Sequence, residues 1–151
     1  MESLDAGTTT IIDNAHMSVS ADHGKAALNA TAMSGIRSIF CYGLTPLRVS
    51  EWTSSTFEMD RTPFPSWFFE QFQDFASRAP FGRDGRVQLG FFFDSYFLPQ
   101  GTLVDIFARV REWGVKLITS HFRHWSISAG KYSLSELSKH YGPLSNILAL
   151  I

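Results

Sequence analysis

The chain has one cysteine in 151 residues, so no disulfide can form within it. Cys41 lies in the apolar stretch "IRSIFCY" and reads as a small core residue rather than a nucleophile. Lysine and arginine nowhere cluster and the net charge is −1, which removes the electrostatic footprint of a nucleic-acid or anionic-membrane binder. No apolar run approaches the ~18 residues that a membrane helix needs. Met1 is followed by "ESLDAGTTT", with neither the basic nor the apolar region of a secretory signal. The phosphate-cradling strings G-x-G-x-x-G and G-x-x-x-x-G-K-[ST] are also missing, which argues against a dinucleotide fold and a P-loop. The expectation is a soluble, cytoplasmic chain with no nucleic acid or membrane as partner.

What the chain does have is apolar material: 44% hydrophobic residues and 14 phenylalanines, enough for one globular domain spanning 1–151. The β-branched "TTTIID" reads as a buried strand. "SADHGKAALNATAM" reads as a helix with Ser20 as N-cap, Gly35 ends it, and "IRSIFCY" begins at once as a strand. The device recurs where "TLVDIFARVREW" meets Gly114 and "VKLIT". There Thr102 and Asp105 have capping-box spacing, and Leu103, Ile106, Phe107 and Val110 share one helical face. "PSWFFEQFQDFASRA" is a helix capped by Ser66, with Phe68, Phe72 and Phe75 inward, and "RVQLGFFF" is the next strand, entered through the turn-like "GRDG". "SLSELSKHYG" makes a last helix before a fifth strand, "NILALI". Residues 43–63 form one long loop, and the aromatic side chains from Gly43 to Phe69 suit core or lid packing better than a ring-binding pocket. The pattern is α/β: about five parallel strands alternating with helices, a partial TIM-type (β/α) barrel.

In such a barrel the chemistry sits at the C-terminal strand ends. Polar residues collect at those positions: Asp13, Asn14 and His16 after the first strand, Asp94 after the third, His121 and His124 after the fourth. Barrel geometry is expected to bring them together.

"AGTTTIIDNAHMSVSADHGKAALNATAMSGIRSIFCYG" resembles the second and third β/α units of the metal-dependent amidohydrolases, in the branch of cytosine deaminase-like and triazine chlorohydrolase-like enzymes. The likeness extends over most of the chain, and in it "LITSHF" corresponds to the fifth barrel strand. The resemblance implies a hydrolase of carbon–nitrogen bonds in a heterocyclic or amide substrate. It also implies Zn²⁺ or Fe²⁺ as cofactor, His121 as a metal ligand and His16 as a further site residue. The fourth strand, "VQLGFFFD", lacks the lysine of the two-metal members, which agrees with a one-metal branch.

The chain also departs from that pattern. The family's first strand ends in H-x-H, and no H-x-H occurs here. The acid/base glutamate expected three residues after the fifth-strand histidine is replaced by His124, the one candidate catalytic residue. The sixth-strand histidine and eighth-strand aspartate have no counterparts. The expectation is a barrel covering strands two to six, with weak or no metal binding alone and a complementing chain or oligomer as partner. The competing expectation is a non-catalytic α/β binding or assembly module that has lost the site.

Overall fold

The computed structural model describes residues 2–16, 18–44, 48–60, 64–96 and 98–121. His124, the helix expected in "SLSELSKHYG" and the strand expected in "NILALI" lie outside the described residues. A short helix α1 (Glu2–Asp5), not foreseen in the sequence, precedes strand β1 (Thr10–Ala15). Helix α2 (Ala21–Ser34) and strand β2 (Arg37–Tyr42) follow. Residues 43–63, read as one long loop, instead contain an antiparallel pair, β3 (Arg48–Trp52) and β4 (Phe57–Asp60). Helix α3 (Ser66–Arg78), strand β5 (Val87–Phe92), helix α4 (Gln100–Glu112) and the short strand β6 (Ile118–Thr119) complete the described chain.

β1, β2, β5 and β6 form one all-parallel sheet in that order. The order is monotonic along the chain. A doubly wound sheet reverses its strand order at a switch point; this sheet keeps adding strands on one side, as a barrel does. It is also curled. A flat sheet would hold β1 and β6 about 14 Å apart, three spacings of nearly 5 Å. Yet the Thr119 hydroxyl on β6 donates to Asn14 Oδ1 on β1 at 2.7 Å. The four strands are therefore a half-barrel, with Asn14 and Thr119 on its concave face. The fifth parallel strand is not among the described ones.

Side-chain alternation divides the sheet into two faces. Phe40, Tyr42, Leu89, Phe91, Phe93 and Ile118 point to the convex side and meet Phe68, Phe72 and Phe75 of α3 and Leu103, Ile106, Phe107 and Val110 of α4 in one core. Those stripes recur every three or four residues, so each helix buries a single face, as the sequence predicted. A buried polar chain runs through this core. The Tyr42 hydroxyl donates to Gln71 Oε1, and Gln71 Nε2 donates to the carbonyl of Ala21 at 2.7 Å. Two buried side chains and the start of α2 are satisfied together. Burial pushes the Tyr42 phenol above its ordinary range, against the opposing hydrogen bond of Ser18.

Both glycines end their helices as expected, but after Gly114 the strand begins only at Ile118 rather than at once. Gly35 and Gly114 are left-handed, with φ of 75° and 83°. After α4 the Val115 amide reaches back to the carbonyl of Val110 and the Gly114 amide to that of Arg111, the paired bonds of a Schellman turn. The helix starts agree less well. Ser20 caps α2, accepting from the His23 amide. Ser66, by contrast, is the first helical residue behind an uncapped Pro65. Thr102 lies inside α4, which begins after Pro99 when the Leu103 amide bonds the Pro99 carbonyl. Proline fixes φ near the helical value and starts each helix without a side-chain cap.

Candidate functional site

The concave face carries the polar strand ends. His121 and Asp94 each lie two residues past the end of a strand, β6 and its neighbour β5. His121 Nδ1 stands 2.6 Å from Asp94 Oδ2, and the His121 amide donates to Asp94 Oδ1 at 2.8 Å. The Ser120 hydroxyl donates to the same Oδ1 at 2.9 Å. Asp94 is only 4% exposed, so three donors converge on a buried carboxylate. Such an arrangement meets the desolvation cost of a buried charge with hydrogen bonds.

His16, past the end of β1, closes on the same place from the opposite edge. Its ring centroid lies 6.0 Å from that of His121, edge-on. Its Nδ1 bonds the carbonyl of Asn14 at 2.7 Å. A carbonyl only accepts, so the proton sits on Nδ1. Phe92 underlies both rings, with centroids 5.5 Å from His16 and 5.2 Å from His121. Beneath them Asn14 and Thr119 tie the edges of the curl, and the hydroxyl of Thr119 also meets the thiol of Cys41. Burial pushes that thiol up to about 11, further than the Thr119 bond lowers it. Cys41 is thus an unreactive part of the floor, in line with its reading as a core residue.

Of the strand-end residues named from sequence, Asn14, His16, Asp94 and His121 come together. Asp13 does not. It points to the convex side, where Thr31 of α2 donates to its Oδ2 at 3.5 Å. The reason is the strand's two-residue period: if Asn14 faces inward, its neighbour faces out. Burial raises the Asp13 carboxyl above its ordinary value, while the Thr31 bond and the nearby His16 charge oppose the shift. Sequence reasoning missed Thr119, Ser120 and Phe92 as parts of the cluster. Their only advance signal was proximity to His121 and Asp94 at the two strand ends.

No protein-family model, curated protein or solved structure matches the chain. Among the described residues, no group of three or more His, Cys, Asp or Glu side chains is placed to hold a metal ion. The donor types at this cluster, two imidazoles fixed by hydrogen bonds, suit Zn²⁺ or Fe²⁺. Their number is short of the three protein ligands that a catalytic zinc takes. Among the described residues no helix is long and apolar enough to cross a membrane.

Proposed function

We propose that this chain forms part of a metal-dependent hydrolase of the amidohydrolase type, acting on a carbon–nitrogen bond of a heterocyclic or amide substrate. The observation that carries the reading is His121 at the end of β6, its Nδ1 held 2.6 Å from the buried Asp94 carboxylate. A histidine on a strand end, oriented through one ring nitrogen, offers the other as a ligand in a fixed direction. His16 stands beside it across the curl. A bound Zn²⁺ or Fe²⁺ in such a site supplies a water with pKa lowered to about 7, a nucleophile at neutral pH. The remaining donors come from outside the described residues or from a complementing chain. His124, three residues beyond His121, is the proposed proton-transfer residue.

The shortfall of donors among the described residues favours a second reading, a non-catalytic α/β binding or assembly module. Metal analysis separates the two. Protein expressed with added zinc or iron is expected to retain metal through dialysis, and His121→Ala is expected to lose it while its far-ultraviolet circular dichroism is unchanged. Equal metal content in His121→Ala and the parent protein would overturn the assignment of His121. No retained metal in the parent protein, alone or with its complementing chain, would favour the module.

A further inference from the structure

We propose that Asp94 is a positioning residue: it holds the ring proton of His121 on Nδ1 and so turns the Nε2 lone pair toward the concave face. The inference rests on the hydrolase reading only for the identity of what Nε2 meets. The proton placement stands on the hydrogen bonds themselves.

Asp94 Oδ1 accepts from two donors, and the backbone one has no choice of role. One is the backbone amide of His121 at 2.8 Å, and the other is the Ser120 hydroxyl at 2.9 Å. These two bonds fix the carboxylate plane, which leaves Oδ2 facing His121 Nδ1 at 2.6 Å. An ionised carboxylate has acceptor capacity only. The ring nitrogen opposite it must therefore carry the proton, and in the neutral imidazole the other nitrogen then carries a lone pair. Burial sharpens the constraint. Asp94 is 4% exposed, so water does not compete well for Oδ2. Phe92 against the His121 ring, at 5.2 Å between centroids, limits rotation about the remaining torsion. The fixed tautomer is the one a metal ligand or a proton acceptor at Nε2 requires, and the opposite tautomer would point an N–H into the site.

Asp94→Asn tests the inference because the His121 backbone amide, which can only donate, holds the new amide oxygen in the Oδ1 position. The amide nitrogen then faces Nδ1 and donates to it, so the ring proton moves to Nε2. Long-range ¹⁵N–¹H spectra of ¹⁵N-histidine-labelled, chelator-treated protein in mildly alkaline buffer read this directly. The His121 signals are assigned by their loss in His121→Gln. The parent protein is expected to show protonated Nδ1 and unprotonated Nε2. Ser120→Ala is expected to show the same, and Asp94→Asn the reverse. A parent protein protonated on Nε2, or a folded Asp94→Asn with unchanged assignment, overturns the proposal. The parent spectrum decides even if Asp94→Asn fails to fold. Where the parent protein holds zinc, Asp94→Asn is expected to bind it about 10- to 100-fold more weakly. The expected tautomer in a parent protein that retains no metal would count against the hydrolase reading alone. The wrong tautomer in one that does retain metal would count against the role of Asp94 alone.

Discussion

Gly43 lies so close to Phe92 that a Cβ on it would stand 2.4 Å from the Phe92 carbonyl oxygen and 2.7 Å from the ring. Side chains essentially never approach that closely, so only glycine lets the end of β2 sit against the end of β5. Phe92 in turn carries the His16 and His121 rings. Gly43→Ala is therefore expected to destabilise the protein by about 1–3 kcal/mol, the usual range for forcing an extra carbon into a packed site. It should also shift the His16 and His121 resonances together. Urea denaturation and a histidine-labelled spectrum check both effects; an unshifted pair of histidines would contradict the coupling through Phe92.

Gly24, in the first turn of α2, sets two rules against each other. Replacing a helical glycine with alanine ordinarily stabilises, by at most roughly 0.5–1 kcal/mol. Here the new Cβ would meet the Tyr42 ring and hydroxyl at 2.7 Å and Gln71 Oε1 at 2.9 Å. Tyr42 and Gln71 are buried and bonded to each other, so neither can swing away cheaply. Overpacking of about 1–3 kcal/mol outweighs the helix preference. The expected net effect of Gly24→Ala is a lower urea midpoint, and a higher one would show that the polar chain is soft.

Much of this architecture was legible because its signals are local. The left-handed glycines at 35 and 114 and the phenylalanine stripe of α3 each depend on residues within a turn or two. The β3–β4 pair was missed although "LRVS" and "TFEMD" alternate apolar and polar positions, because runs that short, with no glycine turn between them, do not stand out from a loop. The capping signatures at Ser66 and Thr102 were overridden by prolines just before them, which open the helix earlier. The site was half legible. Its histidines mark the strand ends, but the bond between His121 and Asp94 spans 27 residues, and no spacing rule specifies it.

Asp13 gives a pH dependence with a definite sign. Its carboxyl is raised above the ordinary value, chiefly by burial. A group with a raised carboxyl pKa binds its proton more tightly in the folded state. It therefore favours folding at low pH and costs stability as pH climbs from the unfolded-state value through the folded one. Asp13→Asn keeps an acceptor for Thr31 without the charge. It is expected to raise the denaturation midpoint at neutral pH, with the advantage fading on acidification below both values. A variant equally or less stable at neutral pH would contradict the burial of that carboxyl.

Thr119→Val removes the hydroxyl that joins Asn14 across the concave face while conserving shape. Thr119 is fully buried, so its partner acceptor loses a bond that water replaces poorly. The expected loss is about 1–3 kcal/mol, read as a lower midpoint in urea. An unchanged midpoint would mean that the curl is held by backbone register alone.

That cross-sheet bond also bears on the order of assembly. Asn14 and Thr119 are 105 residues apart, so the bond can close only after every intervening strand and helix has been made and docked. The Asp94–His121 pair needs just the β5–α4–β6 unit. Contacts between distant parts of a chain form late, because the entropy of a long loop must be overcome first. During synthesis His16 emerges long before β6 and waits for almost the last described residues. The histidine pair is thus a marker that the four-stranded sheet has curled: a chain stalled before β6 would carry His16 and Asp94 without the cluster they join.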